Sequence, residues 1–470
     1  MGSHHEAEAS SPASQPLARL STGNPDLDSI MFGGFPAHSI NILMGEPGSG
    51  KTILAERLMF ANAEDDGRSI LFFTTLSEPA DKVVRYLQQF DFYDETKLGT
   101  VIHYSSIGQE LAEQGVGALV TILKEAITEQ RPKIIVIDSF KAIHDLSTSV
   151  PEMRKMLYEV AGLLTAYETT AFLVGEYSED QISTYPEFAV ADSMIELARN
   201  KLGTRDERFL RVLKLRGSGY LEGLHGFRIT NGGLEVYPRL VSPDEPPGYD
   251  LLKERIPTGI DGLDDLLDGG LPRGRSTFVL GQTGAGKTTL AMQFVMEGLQ
   301  RGEGCMYVSF EENPTQLEAQ LRNMGLDTRD ARQRGLHFLY VSPVELQIDS
   351  IASALHRVVR EGGIQRLVVD AVGDLLMTTS DPQRLHSYLY ALAQHFAVKG
   401  VTSMFTYETI GKDLFTETRM SALADNIILL GIQIEDRKAR RTLRIVKARG
   451  IAHDLDEHEL TISSSGVKVV

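Results

Sequence analysis

GEPGSGKT (45–52) and GQTGAGKT (281–288) are the stretches that decide the fold. Both fit G-x-x-x-x-G-K-[ST], and each stands between an apolar strand-sized run and a run of helical apolar period, the context this motif needs. In that context Gly45, Glu46, Pro47, Gly48, Ser49, Gly50, Lys51 and Thr52 form one phosphate-binding loop, and Gly281, Gln282, Thr283, Gly284, Ala285, Gly286, Lys287 and Thr288 form a second. The glycines let the backbone wrap closely and aim N–H groups at phosphate oxygens, and the following helix adds partial positive charge at its N-terminus. Lys51 and Lys287 supply charge to the β and γ phosphates, and Thr52 and Thr288 offer a hydroxyl to Mg²⁺. ATP and Mg²⁺ are the expected cofactors.

The two loops belong to a longer duplication. LSTGNPDLDSIMFGGFP (20–36) matches IPTGIDGLDDLLDGGLP (256–272), and Lys287 follows Lys51 by the same 236 positions that separate Thr258 from Thr22. Further on, PKIIVIDSF (132–140) matches IQRLVVDAV (364–372), and RFLRVLKLRG (208–217) matches RTLRIVKARG (441–450), with the offset drifting only to 232 and 233. Order and spacing survive along the chain, so one whole domain is copied, and the period is too long for a solenoid. VSPDEPPGYDLLKE (241–254) separates the copies with prolines and a glycine that cannot continue regular structure. The expected organisation is a disordered lead at 1–17, a first domain at 18–240, a linker at 241–253 and a second domain at 254–470. Within each copy strand-like and helix-like runs alternate, which predicts an α/β fold: a mostly parallel sheet with helices on both faces.

Each site needs an acid at the end of a buried strand to hold Mg²⁺ through water, and Asp138 (IIVIDS) and Asp370 (LVVDAV) stand there. Phosphoryl transfer also needs a carboxylate to take a proton from the attacking oxygen. Glu311 and Glu312 follow the strand-like MYVSF in the second copy, while in the first Glu78 aligns with Glu312 and Ser77 falls where Glu311 stands. The first site therefore lacks its best candidate base. Lys214-Leu215-Arg216-Gly217 and Lys447-Ala448-Arg449-Gly450 recur late in each copy, with Arg208 and Arg441 six positions earlier. They lie far along the chain from their own loops, so supply to a neighbouring subunit's ATP is expected, and with it a ring.

Composition bounds the rest. The 470 residues are 42% apolar and 24% charged, as in ordinary globular proteins, and the longest apolar runs are strand-sized. No secretion signal opens the chain, and the single cysteine, Cys305, sits in an apolar run, so a cytoplasmic protein without membrane spans or intrachain disulfides is expected. A net charge of −17, with KARR (438–441) the densest basic stretch, argues against a nucleic-acid partner.

Together these residues resemble the KaiC family of RecA-like ATPases and autokinases, and more closely its members outside the cyanobacterial clock. The likeness rests on the T-G-x-x-x-L-D…G-G-x-P motifs, both P-loops, Glu311-Glu312, both K-x-R-G motifs and FTETRMSALADNIILL (415–430), which looks like the family's phosphorylation segment. The resemblance implies two tandem RecA-like P-loop NTPase domains in a two-tiered homohexamer with ATP between subunits. It also implies slow ATP hydrolysis in the first domain, serine/threonine autokinase activity in the second with Glu311 as base, and Lys214, Arg216, Lys447 and Arg449 reaching a neighbour's ATP, acting in timing or signalling. The acceptor pair reads Ser421-Ala422, so Ser421 is the expected phosphoacceptor, with Thr416 and Thr418 close by. Phe188, at the matching place in the first copy, has no hydroxyl. The chain stops at SSSGVKVV, and contact with a KaiA-type partner through a tail is not expected. Two alternatives stay open: a nucleotide-driven interaction switch with little catalysis, read by a signalling protein, and a DNA-dependent ATPase on the same fold.

Overall fold

INILMG (40–45) is apolar on both faces, and the strand it forms, Ile40–Gly45, is buried along its whole length. A strand covered on both sides belongs in the middle of a parallel sheet. In the computed structural model, which describes residues 17–470 apart from 77–78, 203–204, 246–252, 326–327, 343–346, 362, 377–380, 410–422, 436 and 464–465, that is its place. Ile40–Gly45 pairs in parallel with Thr170–Gly175 on one side and Ser193–Leu202 on the other. Ile134–Asp138, Ile70–Thr74 and Ile102–Ser106 extend the parallel part outward in that order, and Arg205–Leu215, His225–Thr230 and Gly233–Tyr237 add an antiparallel wing.

The second copy repeats this topology strand for strand. Ser276–Gly281 lies between Thr402–Glu408 and Asn426–Glu435, followed outward by Ile364–Asp370, Gly304–Ser309 and Leu336–Tyr340 on one side. The antiparallel wing is Lys438–Ala448, Glu457–Ser463 and Gly466–Val469. Chain contacts divide the molecule between Arg239 and Leu240, and Leu240 packs on the second unit. Each unit has two apolar cores, one on each face of its sheet. The expected α/β architecture of two tandem, mostly parallel sheets is thus present.

The T-G-x-x-x-L-D motif is a structural clasp. Asp28 accepts from the Thr22 backbone N–H at 2.8 Å, and Asp264 accepts from the N–H and hydroxyl of Thr258 at 2.8 and 2.7 Å. Each clasp holds a two-stranded ribbon, Arg19–Leu20 with Phe35–Pro36 and Arg255–Ile256 with Leu271–Pro272, ahead of the first central strand. Cys305 is fully buried, and no helix among the described residues is long and apolar enough to cross a membrane.

Parallel pairing brings the chemistry together. From Ile40–Gly45 the chain passes over two strand positions to reach Ile70–Thr74, which opens a crevice at the carboxyl ends of the strands. The loop after Gly45, the terminal Asp138 and the residue after Gly175 all open on that edge; Gly281, Asp370 and Glu408 do the same in the second unit.

Candidate functional site

Both loops turn into their helices through a left-handed glycine: Gly50, with φ of 105°, caps Lys51–Ala61, and Gly286, with φ of 108°, caps Lys287–Gln300. A Cβ on Gly286 would lie 2.6 Å from Ile462 Cδ1. The loop lysines fold back over the turn. Lys51 Nζ donates to the carbonyls of Gly45 and Glu46 at 3.0 and 2.8 Å, and Lys287 Nζ to those of Gly281 and Gln282 at 2.9 and 3.1 Å. Both lysines are buried, and burial pulls their pKa below the usual lysine value. Glu176 and Asp138 oppose that shift for Lys51, as Glu408 and Asp370 do for Lys287.

The threonine that ends each loop meets the acid that ends the strand two positions away in the sheet. Thr52 Oγ1 donates to Asp138 Oδ2 at 2.6 Å, and Thr288 Oγ1 to Asp370 Oδ2 at 2.8 Å. A hydroxyl paired with a carboxylate beside a glycine-rich loop suits a hydrated divalent cation carrying phosphate oxygens. Among the described residues no cluster of three or more His, Cys, Asp or Glu side chains could hold a metal. The Ser49 hydroxyl is buried inside the first loop without a hydrogen-bond partner. The residues present therefore fit ATP with Mg²⁺.

A family model described as "ATPase: KaiC" matches residues 20–241 and 256–470. The chain belongs to the KaiC family of ATPases. It is 26% identical to the circadian clock oscillator protein KaiC of Picosynechococcus sp. (strain ATCC 27264 / PCC 7002 / PR-6), over 94% of this chain and 88% of that protein. Two proteins of Synechocystis sp. (strain ATCC 27184 / PCC 6803 / Kazusa) are similar as well. Circadian clock protein KaiC3 is 26% identical over 96% of this chain and 92% of its own, and circadian clock protein KaiC2 is 27% identical over 97% and 82%.

Within this KaiC-family chain the two sites differ. Asp370 receives three hydroxyls: Thr288, Tyr307 at 2.7 Å and Thr406. Phe72 and Val174 stand at the places of Tyr307 and Thr406 in domain one. Glu312 donates its backbone N–H to Ser309 Oγ at 3.1 Å and accepts from Gln320 at 2.7 Å, while its second carboxylate oxygen is buried without a partner. Burial pushes the Glu312 carboxyl above its ordinary value, with Asp370 and Glu311 adding to the shift. Glu311 is exposed beside it. Ser77, Glu78, Thr416, Thr418, Ser421 and Ala422 lie outside the described residues. Phe188 is buried against Tyr177, with ring centroids 5.0 Å apart.

The K-x-R-G motifs sit on the other edge of the sheet. Lys214 pairs with Met194, and Arg216 bonds Asp192, whose carboxylate also accepts from Ile40 N at the start of the P-loop strand. Lys447 pairs with Ile427 and donates to the Ala424 carbonyl at 2.7 Å, and Arg449 lies 3.9 Å from Asp425. A β-bulge precedes each lysine on its strand. Burial lowers the pKa of both lysines, with the adjacent arginine adding to the shift. A full strand length, roughly 17–20 Å, separates this edge from the chain's own loops. Arg441 is placed differently, donating from Nε to the Gly284 carbonyl of its own loop at 3.0 Å. Arg208 holds the matching position in domain one, opposite Arg199.

Glu176, Glu408 and Asp374 were not expected from the sequence. Glu176 lines the domain-one cavity with Lys51, Thr52 and Asp138. Glu408 accepts from the Thr283 hydroxyl. A glutamate closing both TAFLVG and SMFTY was the signal. Asp374 has one buried oxygen without a partner, and burial, with Glu311 next, pushes its carboxyl up to about 6. Its counterpart in domain one is Ala142, so the repeat carried no signal for it.

Proposed function

We propose that this KaiC-family chain binds ATP with Mg²⁺ in both domains, works as a hexameric ring and phosphorylates itself on serine from the domain-two site, in timing or signalling. The observation that carries the reading is the pair of Thr–Asp hydrogen bonds, Thr52–Asp138 and Thr288–Asp370, each beside a loop lysine folded over its own turn. Thr52 with Asp138 and Thr288 with Asp370 would hold the cation, which neutralises charge on the β and γ phosphates when bound. Lys51 and Lys287 leave the loop carbonyls for those phosphates.

Glu311 takes the proton from the Ser421 hydroxyl as its oxygen bonds to the terminal phosphorus; the bond to the β-phosphate oxygen breaks and ADP departs. Glu312, anchored by Ser309 and Gln320, positions that turn. In domain one Glu78 is the remaining candidate for activating water. Lys214, Arg216, Lys447 and Arg449 would serve a neighbouring subunit's ATP, a role supported by their place on the edge away from their own loops. Arg441 steadies its own loop and, with Arg208, borders the interface in this reading. The partners in this reading are further copies of this chain and a signalling protein.

Mass spectrometry of the intact chain after incubation with Mg-ATP tests the reading. One added phosphate, lost in Ser421→Ala, is expected. No phosphate under any condition would leave the nucleotide-driven interaction switch, which Ser77 in place of a glutamate and Ala422 in place of a second acceptor favour.

A further inference from the structure

Lys141 has no counterpart in domain two. It stands three residues after Asp138, and three residues after Asp370 the chain has Gly373. Its side chain lines the cavity that Lys51, Thr52, Asp138 and Glu176 also line, a space of about 560 Å³, within the range of small-ligand pockets. The lysine side chain is 18% exposed and paired with Asp145, one helical turn on, whose own side chain is 60% exposed.

The lysine is buttressed from behind. Its Nζ lies 5.4 Å from the centre of the Tyr185 ring, and that ring stacks on His144 at 3.9 Å. His144 Nδ1 is 3.0 Å from a carboxylate oxygen of fully buried Glu187, which also accepts from the Tyr177 hydroxyl at 3.0 Å. Tyr177 directly follows Glu176, on the cavity wall. A continuous set of contacts thus runs from Lys141 back to Glu176. At the matching places domain two has Gly373, Leu376 and Thr409 instead of Lys141, His144 and Tyr177. No catalytic need of the other domain explains this shell.

We propose that Lys141 is a phosphate-binding residue of the domain-one site that makes it prefer a nucleoside triphosphate to a diphosphate. The inference rests on the reading of domain one as a nucleotide site. Lys141 rides on the helix that begins beside Asp138, the acid on the terminal-phosphate side, so its charge meets the last phosphate rather than the first. Its partner Asp145 is exposed, and exposed pairs one turn apart hold weakly. A terminal phosphate, carrying more charge inside the cavity, displaces that partner, and Tyr185 keeps the stem in place.

Calorimetric titration of the full chain carrying Lys287→Ala, with Mg-ATP and Mg-ADP, tests this. The parent binds one nucleotide per chain; binding of none would overturn the domain-one reading and this proposal with it. In that background Lys141→Met weakens ATP about tenfold and leaves ADP unchanged, while Lys141→Arg keeps the preference. Asp145→Asn, at an exposed side chain, tightens ATP alone. An ATP-to-ADP preference unmoved by Lys141→Met and Asp145→Asn would overturn the role of Lys141 while leaving domain one a nucleotide site.

Discussion

Tyr307 donates its hydroxyl to the same Asp370 oxygen that takes the Thr288 hydroxyl. The ring is fully buried, so the bond forms out of contact with water. Tyr307→Phe puts into domain two the ring that domain one already has at Phe72. Removing a hydrogen bond to a charged group typically costs about 1.5–3 kcal/mol. Two other hydroxyls still reach Asp370, so a loss near the lower end, about 1.5 kcal/mol, is expected in urea unfolding. An unchanged midpoint would show that this bond carries no net stability.

Asp374 makes domain two sensitive to pH. Its carboxyl is pushed up to about 6 in the fold, first by burial and then by Glu311. A raised carboxyl binds its proton more tightly folded than unfolded. Its contribution is most favourable below the unfolded value and is lost as pH rises through about 6. Asp374→Asn should therefore raise the melting temperature at about pH 8, and the gain should shrink as pH falls through the titration. A gain that does not change with pH would assign it to packing.

Gly286 and Gly284 predict different costs within one loop. Both have positive φ, but a Cβ on Gly284 meets nothing within 4 Å, whereas one on Gly286 meets Ile462 at 2.6 Å. Gly284→Ala carries only the left-handed penalty, about 1–2 kcal/mol. Gly286→Ala adds a clash at the first turn of the helix and should abolish nucleotide binding in domain two. Equal binding by the two variants, measured by fluorescent-nucleotide titration, would contradict this.

Assembly supplies the fourth readout. Light scattering with Mg-ATP should give about six chains, the family's assembly. Lys447→Ala mixed with Lys287→Ala should regain part of the autophosphorylation that each lacks alone, because one supplies an intact loop and the other an intact K-x-R-G edge. Full activity of a stable monomer would exclude the arrangement.

The two P-loops disagree in what their loss should do. Lys287→Ala should remove phosphorylation, while Lys51→Ala should chiefly weaken assembly, since Ser77 stands where a base is needed. Loss of most ATP turnover in an intact Lys51→Ala ring, followed by phosphate release, would make domain one the motor.

The fold was legible because the duplication fixes register: two loops and two strand-end aspartates at matched spacings admit few other arrangements. The Thr52–Asp138 bond joins residues 86 apart in sequence, yet both motifs could be read locally. Glu176 and Glu408 were harder, since a glutamate at a strand end is usually solvated, and only the sheet shows that this end faces a lysine. Lys214 and Lys447 could be placed late in each copy, but their edge depends on the direction of an antiparallel strand and on the bulge before them. Asp374 and Lys141 were not legible at all. Each occurs in one copy only, so a search built on repetition passes over the residues by which the copies have diverged.

The pairing of the P-loop strand also sets an order of manufacture. Ile40 lies beside Ala171 and Asn41 beside Ser193, so the segment that carries Lys51 is sealed by chain synthesised long afterwards. On the ribosome the first loop must wait, unshielded, for Ser193–Leu202 to emerge, and the sheet around it is then completed by strands of the first copy. A nascent chain halted just before Gly281 would already carry every strand of the first sheet, whereas one halted between Gly281 and Thr402 would carry the second loop's strand open on both sides, and one halted between Glu408 and Asn426 would carry it open on one. Translation pauses in those intervals are where chaperones would find this protein.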